Sequence, residues 1–107
     1  MSVKRKPHHD LVRVKAKFAT TDTLEATSTA IRNARDLGYT LSDIVAAVQA
    51  LQHRDFVKSE TAHNPPNSKV WHDTYNLALD ERFLYLKFAG ETLIDVVLTS
   101  FKEVNND

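Results

Sequence analysis

The sequence predicts an α+β fold, with N-terminal helices packed on a mainly antiparallel sheet. Two observations carry that reading. Apolar residues recur at helical spacing between capping residues as far as Leu51, and from Asp55 onward short runs alternate with a period of two. The pattern crosses from helix to strand once, the ordering of segregated layers rather than of alternating strand and helix units.

After Pro7, Asp10 can cap a first helix whose stripe is Leu11, Val14 and Phe18 and which ends in Thr20-Thr21-Asp22-Thr23. A second helix, roughly residues 26–37, places Ala30, Ile31, Ala34 and Leu37 on one face and stops at Gly38, where a left-handed residue costs little. The third is the best marked. Thr40 caps it, Asp43 completes a capping box, Tyr39 can staple onto Ile44, and Leu41, Ile44, Val45, Val48 and Leu51 give the stripe expected to pack hardest on the sheet.

Strands follow from Phe56. The run Asn64-Pro65-Pro66-Asn67-Ser68 reads as a rigid exposed loop, incompatible with either element, between residues 56–61 and a strand beginning at Val70. In residues 83–88, Leu84, Leu86 and Phe88 point to the core while Phe83, Tyr85 and Lys87 point away. Ala89-Gly90-Glu91 then connects to residues 93–99, whose Ile94, Val96 and Leu98 form a second core row.

At 107 residues the chain is sized for one domain spanning 1–107. Its 42% hydrophobic and 26% charged residues are those of an ordinary globular protein. The lack of cysteine excludes a disulfide scaffold, a thiolate zinc site and a cysteine nucleophile. The longest uncharged apolar-leaning stretch, residues 44–51, is far short of the roughly 20 residues that span a bilayer, and the basic N-terminus has no apolar signal region. A cytoplasmic protein with no membrane partner is expected.

Net charge is zero, yet residues 1–20 carry Lys4, Arg5, Lys6, Arg13, Lys15 and Lys17 against Asp10 alone. This arm is either an ordinary solvated terminus or a phosphate contact. The histidines do not make a metal motif: His8 and His9 adjoin in what reads as a flexible arm, and His53, His63 and His72 are scattered. With Gly38 and Gly90 as the only glycines there is no phosphate-cradling loop, so neither a metal nor a cofactor is expected.

The candidate chemistry lies on the sheet face that the core leaves unused. Tyr85 and Lys87 alternate away from the core row. His72 alternates opposite Trp71, Tyr75 and Leu77, and so projects with Thr74 onto the open face if those three pack inward. Lys58 sits where the last helix hands over to the first long strand. Taken singly, each has an ordinary structural reading: a solvated lysine, a rim tyrosine, a satisfied histidine.

Five blocks in order resemble the MqsR-type messenger-RNA-cleaving toxins of bacterial toxin–antitoxin pairs. They are Lys4-Arg5-Lys6-Pro7-His8, Asp55-Phe56-Val57-Lys58-Ser59, Val70-Trp71-His72-Asp73-Thr74-Tyr75, Leu84-Tyr85-Leu86-Lys87 and Ser100-Phe101-Lys102-Glu103. The resemblance covers nearly the whole chain and implies the RelE-like fold. It also implies a sequence-selective, metal-independent endoribonuclease acting on single-stranded messenger RNA and neutralised by a cognate antitoxin, with operator DNA met only through that antitoxin. The resemblance puts the catalytic lysine on Lys58 and the catalytic tyrosine on Tyr85, and Lys102 on a lysine also implicated in activity. His72 stands where the family has glutamine, so it either positions RNA or also titrates. Lys87 and Lys102 are the candidate RNA-binding cations, and Trp71, Tyr75 and Phe83 the candidate stacking aromatics.

One conflict is internal to the pattern. An unbroken strand would put Lys102 on the face of Ile94, Val96 and Leu98, so that strand must end or bulge before Lys102. The competing functional reading is a catalytically inactive RelE-like binding module that serves partner binding or operon regulation.

Overall fold

The computed structural model describes residues 2–63 and 65–104. It bears out the α+β expectation. A short strand, β1 (Val3–Lys4), precedes α1 (Leu11–Lys17), α2 (Ser28–Asp36) and α3 (Leu41–Ala50); a turn of 3-10 helix (His53–Asp55) then leads into β2 (Phe56–His63), β3 (Pro66–Leu79), β4 (Arg82–Gly90) and β5 (Val97–Glu103). The five strands lie in the order β1-β2-β3-β4-β5, every neighbouring pair antiparallel.

The helix caps predicted at Asp10 and Thr40 form: each accepts a hydrogen bond from a backbone N–H in the first turn, and the Thr40–Asp43 capping box is complete. Thr27, not among the expected caps, does the same for α2. Gly38, at φ +94°, ends α2 in the left-handed region. α2 begins two residues later than expected because Ala26 is engaged in a parallel bridge to Leu98, which leaves Thr27 as the cap.

All three helices cover one sheet face. Ile44, Val48 and Leu51 of the α3 segment meet Tyr75, Leu84, Leu86 and Phe88, and the Phe18 and Phe88 rings stack with centroids 6.0 Å apart. Two details differ from expectation. Leu41 is exposed, and Ala47 is buried with Ile44 and Val48 in the stripe that faces the core. The closest backbone approach of a helix to the sheet belongs to α2 against β5, where Ala30 and Ala34, both fully buried, leave room for it.

The 64–68 run is not a loop between separated strands. β2 continues to His63 and β3 starts at Pro66, with Ala62 opposite Asn67 and His63 opposite Pro66. Pro66 is tolerated as the first residue of a strand, and the register shift before Trp71 absorbs Ser68, Lys69 and Val70. Asn64 itself lies outside the described residues. The expected exposure of this region is found, from Pro65 through Lys69.

The β4–β5 connection also differs. β4 runs through Ala89 to Gly90, and residues 91–95 form the turn, in which Asp95 accepts hydrogen bonds from the backbone N–H groups of Glu91 and Thr92. That removes Ile94 from the core row and leaves it 88% exposed, while Val96, Leu98 and Phe101 are fully buried. A Cβ on Gly90 would sit 2.7 Å from the Val96 Cα, so only glycine fits where the chain doubles back. Among the described residues no helix is long and apolar enough to cross a membrane.

The N-terminal arm is folded onto the protein, contrary to the flexible arm expected. The buried Asp73 carboxylate accepts from the backbone N–H groups of His8 and His9 and from the Ser59 hydroxyl. His8 stacks on Trp71 at 5.1 Å, Lys4 Nζ lies 4.0 Å from the Trp71 ring centre, and His9 is buried. Lys15 and Lys17 donate to backbone carbonyls of Leu51 and of the 93–96 segment. Three of the six cations in this stretch, Lys4, Lys15 and Lys17, therefore hold the fold together, and Arg5, Lys6 and Arg13 extend into solvent.

Candidate active site

The sheet face away from the helices is built from directly paired residues, because antiparallel partners project to the same side. One row crosses four strands: Lys58 on β2, Thr74 on β3, Lys87 on β4 and Ser100 on β5. The row below holds Asn76, Tyr85 and Lys102, and the row above holds Glu60, His72 and Ala89. Lys58, His72, Tyr85, Lys87 and Lys102 thus share one face although 44 positions separate the first from the last.

Lys102 reaches this face through a bulge. Lys87 pairs with Ser100 but Phe88 pairs with Leu98, so Thr99 is the extra residue, and its hydroxyl donates to the Lys87 carbonyl. Leu98 and Phe101 consequently both face the core, and Lys102 faces out. The break that the sequence pattern demanded falls at Thr99.

Tyr85 lies between two ammonium groups. Lys102 Nζ is 4.9 Å and Lys87 Nζ 5.7 Å from its ring centre. Lys58 Nζ is 3.4 Å from a Glu60 carboxylate oxygen, with the Glu60 side chain only 16% exposed. His72 is half-buried beside a cleft of about 350 Å³ that Glu60, His63 and Lys87 also line. Burial first, and then the Lys87 ammonium, hold its imidazole below the ordinary value of 6.5, against the upward pull of Glu60 and Asp73. The ring is therefore neutral at pH 7 and able to accept a proton.

Thr74 does project to this face with His72, but its neighbours cover it. It is 1% exposed, and its Oγ1 has no hydrogen-bond partner among the described residues. Of the three aromatic candidates, Tyr75 is core and Trp71 lies on the opposite face beneath His8 and Lys4. Phe83, half exposed and two residues before Tyr85 on β4, is the one on the open face. Sequence reasoning missed Glu60; its i, i+2 spacing from Lys58 was the signal that could have found it. Among the described residues no group of three or more His, Asp or Glu is placed to hold a metal ion.

An uncovered sheet face carrying lysines, a neutral imidazole and a phenol in adjacent rows defines a small α+β protein that offers cations and proton-transferring groups together. A family model described as "Motility quorum-sensing regulator, toxin of MqsA" matches residues 6–103. The chain is 33% identical over 100 residues to the mRNA interferase toxin MqsR of Escherichia coli (strain K12), covering 94% of this chain and 97% of that relative. The chain belongs to the MqsR toxin family.

Proposed function

We propose that this MqsR-family toxin is an endoribonuclease that cleaves single-stranded messenger RNA by attack of a ribose 2′-hydroxyl on its own 3′-phosphate. The observation that supports the reading is the shared open face of Lys58, His72, Tyr85, Lys87 and Lys102. The 2′ oxygen loses its proton and bonds to phosphorus, the bond from phosphorus to the 5′ oxygen breaks, and that oxygen takes up a proton. The products are a 2′,3′-cyclic phosphate and a 5′-hydroxyl.

His72, held neutral by its surroundings, is the base that receives the 2′ proton. Lys58 and Tyr85 steady the charge on the phosphorane and protonate the leaving oxygen, and Lys87 and Lys102 bind the flanking phosphates. Phe83 offers a base a stacking surface, the usual way in which splayed single strands are read. Every proton is accounted for by side chains, so the reaction needs no metal. The family description pairs the toxin with an antitoxin, MqsA, and a cognate antitoxin of that kind is the protein partner. Operator DNA is met only through it, and the site of action is the cytoplasm, where the message is.

The test is cleavage of single-stranded RNA by purified protein in EDTA, with end-group analysis of the products. A substrate carrying a 2′-deoxy sugar at the cut position should be inert. Cleavage of that substrate, or dependence on added magnesium, would overturn the mechanism. No cleavage of any RNA would favour the inactive binding module.

A further inference from the structure

Among the described residues Glu60 is the carboxylate paired with the catalytic candidates Lys58 and His72, and the proposed mechanism assigns it nothing. A negative charge on a face that must receive RNA phosphates weakens binding, so its position calls for a compensating role. Two contacts define that position. Its carboxylate lies 3.4 Å from Lys58 Nζ, and its backbone pairs directly with that of His72 across β2 and β3. Side chains so paired have Cβ atoms roughly 5 Å apart on the same face. Both share the cleft with Lys87 and His63.

We infer that Glu60 is a positioning residue of the cleavage reaction, which stabilises the imidazolium formed when His72 takes the 2′ proton and holds Lys58 beside it. The inference rests on the proposed function. No bond to substrate is assigned to Glu60; it acts through the two groups it faces. The charged groups around His72 are Lys87 from β4, Glu60 and His63 from β2, and Asp73 on its own strand. Glu60 is the nearer source of negative charge on the open side, since Asp73 is buried on the opposite face beneath His8 and His9.

This role separates binding from chemistry. Glu60→Gln keeps the side-chain size and removes the charge. It should bind a non-cleavable 2′-deoxy oligonucleotide at least about twofold tighter and cleave RNA about tenfold more slowly in single turnovers at saturation, the lower range of a lost electrostatic contribution. In the free protein the His72 imidazole, assigned by its loss in His72→Gln, should titrate about half a unit lower or more in NMR when Glu60 becomes glutamine. The acidic limb of the cleavage profile should move the same way. Glu60→Asp, which keeps the charge, should stay near the wild-type profile and covers the case that the glutamine variant folds poorly.

A bystander carboxylate would give tighter binding with an unchanged or faster rate, and that result overturns the inference. So does an unmoved His72 titration in an active protein, or a moved titration that the cleavage profile does not follow. Failure of the wild-type protein to cut any RNA is a different result, which overturns the proposed function and this role with it.

Discussion

Lys102 places its Nζ 4.9 Å from the centre of the Tyr85 ring, directly across the β4–β5 pair. It does so only because Thr99 is bulged. Without that extra residue Lys102 would turn toward the helices and Phe101 toward solvent. The bulge therefore serves the core and the open face at once.

Tyr85 belongs to the open row while Leu84 and Leu86 on either side are fully buried. Tyr85→Phe and Lys58→Ala should each lower cleavage by at least about 10², the scale of one proton-transferring or charge-stabilising group. Circular dichroism and denaturant midpoints should stay near wild type. A Tyr85→Phe protein that melts early yet keeps its activity per folded molecule would make Tyr85 structural.

The imidazole of His72 is held below its ordinary 6.5 by burial and by Lys87. A base must be unprotonated to act, so single-turnover cleavage should rise with pH through that lowered value and level off above it. The inflection should lie below the ordinary value of 6.5. His72→Gln should abolish the inflection while leaving measurable activity. Identical profiles for the two proteins would mean that the imidazole only orients RNA.

Asp73 is buried and accepts from His8 N–H, His9 N–H and the Ser59 hydroxyl. Asp73→Ala should cost about 2 to 4 kcal/mol, since it strands buried donors as well as losing charge-assisted bonds. The N-terminal segment should loosen first. Trypsin cleavage after Lys4 and Arg5, followed by mass spectrometry under native conditions, should accelerate well before global unfolding does.

Thr74 buries a hydroxyl with no partner among the described residues. Thr74→Val preserves shape and strand preference and removes that unsatisfied group, so it should stabilise the fold by about 1 kcal/mol in urea unfolding. A loss of stability instead would show that the hydroxyl is satisfied in solution.

Much of this architecture is written locally. Asp10, Thr27 and Thr40 begin helices because a short oxygen-bearing side chain reaches the free N–H groups beside it, and Gly38 ends one because it alone enters the left-handed region cheaply. The 83–88 alternation fixed which residues of β4 face out. It also conflicted with the position of Lys102, and that conflict announced the bulge.

Other features rest on residues far apart in the chain. Nothing near His9 says that Asp73, 64 positions away, will capture its N–H and pin the basic arm, and nothing near Ile94 says that Val96 will close against Gly90 and leave Ile94 in the turn. The Asp80-Glu81 turn, with both residues at positive φ, lacks the glycine that usually marks it. Glu60 shows the same division most plainly. Its spacing from Lys58 is local and readable, but its place opposite His72 depends on the register of two strands whose hairpin shifts partway along. Register is decided by which pairing buries Tyr75 under the helices and Ser59 and Asp73 under the N-terminal arm, a property of the assembled core and not of either strand alone.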